Sequence, residues 1–158
     1  MRFTLIKNVK EDKAMKPLLN GLLLFILLYI LFDIFVKSHT MGLSVSTVTT
    51  TLFGNADEFL DPMNESVFLE FVHMQIFFLM MILLTLSAVY ARLLHKKSKT
   101  VLMLNILLFT ALLTPLSLVA AYFYSAEFIG IYLFTFFTWH IVAFYMATAS
   151  LWELNCAK

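Results

Sequence analysis

The sequence predicts an all-α integral membrane protein: an up-down four-helix bundle with both termini cytoplasmic and a structured outer connection between the first and second helices. Three observations lead there. Of 158 residues, 61% are hydrophobic and 13% charged, whereas charged residues make up about a quarter of a soluble domain. A mean hydropathy of +0.89, with 17 Phe but only 4 Gly and 3 Pro, excludes a disordered tail, a collagen-like repeat and a loop-rich scaffold. Finally, ten of the eleven basic residues fall in segments that four apolar stretches place on one side of a bilayer.

A membrane helix needs about 20 mostly apolar residues to cross a hydrocarbon core of about 30 Å. The first candidate, residues 17–36, opens on Pro17, whose missing N–H costs nothing in a first turn. Its leader is long for a signal peptide and contains Glu11 and Asp12, and Lys37-Ser38-His39-Thr40 offers no small-x-small cleavage site, so it reads as a retained span. The second, 62–92, follows Asp61 as N-cap with Pro62 in first position. The third, 100–124, contains Pro115, which predicts a bend. The fourth covers 127–152, and Ser125-Ala126 alone separate it from the third, so those two are antiparallel neighbours. Together they form one domain, 1–158.

Orientation follows from the basic residues. Arg2, Lys7, Lys10, Lys13 and Lys16 precede the first span, Arg92, Lys96, Lys97 and Lys99 join the second to the third, and Lys158 ends the chain; only Lys37 falls on the other side. The positive-inside rule makes the first side cytoplasmic, in an inner or plasma membrane. Asp57, Glu58, Asp61 and Glu65 gather outside, so the net charge of +1 is a cancellation between two faces and makes no case for nucleic acid. The single cysteine, Cys156, excludes an intramolecular disulfide and a cysteine metal cluster, and it stands one position too late for a prenylation signal.

The outer connection, 37–61, is too long for a bare turn. Met41, Val45, Val48, Leu52, Ala56, Phe59 and Met63 recur at helical steps, which predicts an amphipathic helix on the outer surface. The β-branched run Thr47–Thr51 and a break at Gly54 argue for the rival, an extended hairpin-like loop. Asn64-Glu65-Ser66 matches a glycosylation sequon, but its place before an apolar helix suits a cap.

Ionisable groups within the spans single out the candidate site residues, because each costs about 2.5–3.5 kcal/mol at mid-depth. Asp33, about one turn from the outer end of the first span, is placed to reach interfacial water. Glu70 and His73 share a helix face, and Glu-x-x-His is a unit that supplies a carboxylate and an imidazole to one metal ion; Asp33, His39, Glu58 and Glu127 are the further donors at similar depth. The plainer reading is a carboxylate–histidine hydrogen bond. His140, about 20 Å along the fourth span, shares a face with Ala143, Ala147 and Ser150, so it is expected to face protein. Its expected partner is Thr85, Thr110, Thr114 or Ser117; the alternative is a cofactor, as an axial haem ligand or a quinone hydrogen-bond partner. His73 and His140 differ in depth by about 10 Å, which disfavours a haem held by both. His95 is assigned to the cytoplasmic rim.

No phosphate loop, nucleophile elbow, zinc-protease helix or nucleic-acid module occurs, and no cofactor is named by a motif. Three functions remain: an accessory or structural protein that contacts the lipid bilayer and docks a membrane-protein partner or a second copy through the outer connection or a helix face; a redox or metal-handling protein using Glu70, His73 and His140; and an oligomeric channel or transporter.

Overall fold

The computed structural model describes residues 14–94 and 99–156. His95, Lys96, Lys97, Lys158 and the basic residues before Ala14 lie outside the described residues. Among the described residues five α-helices occur in the order α1 (Met15–Thr40), α2 (Val45–Phe53), α3 (Glu65–Leu94), α4 (Thr100–Phe123) and α5 (Phe128–Asn155). All but α2 are long and apolar enough to cross a membrane.

Among the spans, α5 is the hub: it packs most extensively on α4 and also against α1, α3 and α2. It is the most buried of the four spans, and α1 is the least. Only α5 makes an extensive contact with α1, which meets α3 more sparsely. At one end Asn20 of α1 and Asn155 of α5 exchange amide hydrogen bonds of 3.2 and 2.8 Å, so the start of α1 lies beside the end of α5. The predicted small-residue face of α5 is buried, with His140, Ala143, Ala147 and Ser150 all turned inward. Helix α4 continues through Pro115 without interruption.

The interior divides into two apolar clusters. One, toward the start of α1, joins Leu23, Ile26 and Ile30 to Leu79–Leu94 of α3, Leu107 and Ala111 of α4, and Trp139–Leu154 of α5. The other, toward α2, joins Met41, Val48 and Leu52 to Phe68, Val72, Leu118, Ala121 and Ile129–Phe136. Between the clusters every span contributes a buried or half-buried polar side chain: Asp33 and Lys37 on α1, Gln75 on α3, Thr114 on α4 and His140 on α5.

The outer connection is shorter in helix than its apolar stripe predicts. Helix α2 stops at Phe53, Gly54 breaks it, and a 3-10 turn follows at Ala56–Glu58. Met41, Val48 and Leu52 of the stripe are buried, but Val45, the first residue of α2, and Phe59, beyond its end, are exposed, so only part of the stripe faces the bundle. The threonine run is helical because Thr47, Thr49 and Thr51 return their hydroxyls to carbonyls three or four residues back, at 2.8–3.0 Å. Ser44 and Thr47 close a reciprocal capping box at its start. Pro62 is not in a helix: α3 begins three residues later, at Glu65, where the Asn64 side chain accepts the Ser66 N–H at 2.9 Å. Met63 ties the connection down, its N–H to Leu52 and its carbonyl to the Tyr122 hydroxyl, whose ring stacks on Phe68.

Gly54 has a φ of +77°, and a Cβ there would stand 2.5 Å from the Leu60 carbonyl oxygen and 2.9 Å from the Pro62 nitrogen. Both are backbone atoms and cannot swing aside. Gly54→Ala is therefore expected to destabilise the protein by more than about 1 kcal/mol. Gly21→Ala, in mid-helix with nothing within 4 Å of the new methyl group, is expected to be neutral or stabilising by up to about 1 kcal/mol. Thermal unfolding of the two variants in detergent, side by side, checks the contrast.

Candidate functional site: a polar layer at mid-bundle

Tyr29, Asp33 and Lys37 recur every four residues and so form one polar stripe on an apolar helix. Asp33 is the centre. Its Oδ2 lies 3.1 Å from His140 Nε2 on α5, and its Oδ1 accepts the Tyr29 hydroxyl at 3.4 Å. His140 is 2% exposed, and its Nδ1 is 2.8 Å from the Phe136 carbonyl oxygen one turn earlier in α5. The Trp139 and Phe136 rings pack on the imidazole, with centroids 3.7 and 4.2 Å away. At about 1.5 Å per residue, His140 lies about 18 Å from the start of a helix about 42 Å long. His140 is thus near the middle of α5, and Asp33 meets it about 10 Å from the α2 end of α1.

Lys37 is buried as well. Its ammonium donates to Gln75 Oε1 of α3 at 3.1 Å and stands 3.7 Å from the centre of the Phe71 ring. Amide and ring faces both accept positive charge without supplying a negative one. Lys37 is thus an internal cation near the α2 end.

Several sequence expectations are corrected here. Asp33 does not reach for interfacial water: its side chain is 15% exposed and bonded to His140. His140 is not bonded to Thr85, Thr110, Thr114 or Ser117. Each of those hydroxyls donates to a carbonyl of its own helix, the cheapest acceptor within reach of a short side chain. Glu70 and His73 lie exposed on α3, on a different face from buried Gln75. Glu58 and Glu127 are exposed near the α2 end, and His39 packs edge-on against Phe35. Among the described residues no group of three or more His, Cys, Asp or Glu side chains is placed to hold a metal ion. Both nitrogens of His140 are engaged, so a cofactor reaching its ring has to displace Asp33 or the Phe136 carbonyl. The sequence reading missed Tyr29, Gln75 and the inward turn of Lys37. The spacing of Tyr29, Asp33 and Lys37 was the available signal.

Four apolar spans enclosing a layer of buried polar side chains make this an integral, multi-pass helical membrane protein. The chain belongs to the Aq_1264_TM family of transmembrane helical domains, whose family model matches residues 42–158. No curated protein and no solved structure matches it. The matched segment covers α2 to α5, so Gln75 and His140 lie within it and Tyr29, Asp33 and Lys37 precede it.

Removing one member of the Asp33–His140 pair leaves the other buried with a lost partner. Asp33→Ala and His140→Ala are each expected to cost about 1–3 kcal/mol. The double variant Asp33→Leu, His140→Leu, which leaves no polar orphan, is expected to cost less than the sum of the two. Unfolding in a denaturing-detergent titration measures all three.

Proposed function

We propose that the protein is an accessory membrane component that docks a partner protein through the end of the bundle carrying α2, with Phe59 as the anchor. The observation that carries this reading is Phe59 itself, 94% exposed on the 3-10 turn after α2. Its backbone is left-handed, with a φ of 54°, a conformation that costs a bulky L-residue about 1–2 kcal/mol. Local bonding holds it there. Asn55 and Leu60 exchange both backbone hydrogen bonds at 2.9 and 3.0 Å, and the Asn55 side chain accepts the Asp57 N–H. A rigid turn therefore presents an aromatic ring to the surroundings.

Asp57, Glu58 and Asp61 are exposed around it. A large aromatic group rimmed by carboxylates suits an apolar pocket with a basic rim, the arrangement in which one central side chain carries most of the binding energy. Ten of the eleven basic residues belong, in sequence, to the opposite end, which supports a cytoplasmic location for both termini and an outward-facing α2 end. The apolar clusters on both sides of the polar layer favour this reading over a pore.

A photoreactive phenylalanine analogue at position 59, activated in native membranes, is expected to give one protein adduct of discrete mass. Neutralising the rim with Asp57→Asn, Glu58→Gln and Asp61→Asn together is expected to remove that adduct. Phe59→Ser is expected to weaken the partner's affinity by about tenfold or more. Adducts with lipid alone would overturn the reading.

A further inference from the structure

The Asp33–His140 contact fixes a proton count. A carbonyl oxygen only accepts, so the Phe136 carbonyl at 2.8 Å requires a hydrogen on His140 Nδ1. Nε2 then meets Asp33 Oδ2 at 3.1 Å either as an N–H against a carboxylate or as a lone pair against a carboxylic O–H. Each arrangement places one proton between the two side chains. With no proton a carboxylate faces a lone pair and the pair is an anion; with two, the pair is a cation. Taken alone, the pair is neutral only with one proton; without it, the pair needs a cation beside it, because net charge at this depth in a bilayer is expensive.

A second acceptor for the charge stands one turn away. Lys37 follows Asp33 by four residues on the same face of α1 and lies within its electrostatic reach. Of the three ammonium hydrogens one is directed to Gln75. The other groups that face Asp33 do not supply a cation: Tyr29 donates a neutral hydroxyl, Tyr132 of α5 is a phenol within electrostatic reach, and α3 contributes the neutral amide of Gln75. The buried hydroxyls of α4, on Thr110, Thr114 and Ser117, are turned to their own backbone.

We infer that Asp33 and His140 form a proton-binding site that ties α1 to α5, and that release of the proton hands Asp33 from His140 to Lys37. In the occupied state the proton bridges two helices. When it leaves to solvent, the Asp33 carboxylate pairs with the Lys37 ammonium within α1, and His140 keeps its Nδ1–H bond to Phe136. With Lys37 counted, the bridged state carries one net positive charge, and release of the proton leaves His140 neutral beside a neutral Asp33–Lys37 pair. The bond between helices is lost all the same. Because α1 is the least buried span and its Asn20–Asn155 tie lies toward the other end, the part of α1 nearest α2 is the part that loosens.

The test uses the full-length chain in lipid nanodiscs with Cys156→Ser, carrying spin labels at Leu31→Cys on α1 and Ile141→Cys on α5, both exposed positions. Between about pH 5 and about pH 8, where Lys37 keeps its charge, a second, longer label-to-label distance is expected to grow as pH rises. Its ratio to the first is expected to rise about tenfold per pH unit over the rising limb, as release of one proton requires. Asp33→Asn, whose amide donates to Nε2 without titrating, is expected to hold the short distance throughout. Lys37→Met is expected to move the transition to higher pH. A single distance unchanged by pH in the otherwise native chain, or a transition untouched by Lys37→Met, overturns the proposal. Nitrogen NMR of ring-labelled histidine reads the site with no substitution at either partner. A His140 with an unprotonated Nδ1 at neutral pH overturns the proton count, and a protonated Nδ1 supports it.

Discussion

A polar side chain inside an apolar span has no water to bond, so it must find its partner in a helix. That requirement sorts the polar residues of this bundle by length and charge. Short hydroxyls on Thr85, Thr110, Thr114, Ser117 and Thr135 bend back to their own helices. Longer or ionisable groups cross to a neighbour: Asn20 to Asn155, Asp33 to His140 and Lys37 to Gln75. Each of these crossing pairs has α1 as one member. Lipid tails are as apolar as leucine, so burial of apolar area does little to choose between protein and lipid for a helix in a bilayer. A span that buries little of itself, as α1 does, depends more on specific polar ties than α5, which packs against all the other helices.

The family match gives that division a boundary. It begins at Gly42, just beyond α1, and runs through α2 to α5. The matched segment holds one half of each crossing pair and α1 holds the other. Asp33 gives His140 a buried acceptor, Lys37 gives Gln75 a donor, and Asn20 completes an amide pair with Asn155. The arrangement also explains why the polar layer tolerates four helices' worth of polar atoms between two apolar clusters. Asp33 with His140 and Lys37 with Gln75 are satisfied in pairs, and Thr114 by its own backbone, whereas the buried Trp139 Nε1 and the Ser150 hydroxyl have no hydrogen-bond partner among the described residues.

Most of the architecture was legible in the sequence because a membrane span leaves a long, redundant signal. Leu18 to Val36, for example, reads as a helix whichever residue is ignored. The site was legible only in part. Asp33 and His140 announced themselves as ionisable groups in apolar helices, but their pairing depends on how far α1 and α5 slide past each other, and apolar side chains alone do not encode that register. The inward turn of Lys37 was illegible for the same reason: it lies three residues before the end of α1, and only the packing of Phe71 and Gln75 turns it inward. The apolar stripe in the outer connection failed at Gly54, where the required left-handed backbone outweighs periodicity. Phe59 gave no sequence signal of its exposure, since an aromatic at helical spacing ordinarily marks a buried face.

The two ends of the functional reading are mechanically joined. Lys37 lies one turn from the end of α1, and Met41 to Ser44 lead directly into α2. The Met41 carbonyl accepts the Thr51 hydroxyl at 3.3 Å, Leu52 holds the Met63 N–H at 3.2 Å, and Asn55 and Leu60 close the turn that presents Phe59. A displacement of α1 at this end therefore cannot leave α2 untouched, because Met41 and Val48 are buried in the same apolar cluster and move against the same Ile129–Phe136 surface of α5. Such a chain of packed contacts couples two sites only if one element in it has two discrete arrangements. In the proton switch proposed above, Asp33, with His140 on one side and Lys37 on the other, supplies that element, and a proton is the ligand that tells the two arrangements apart.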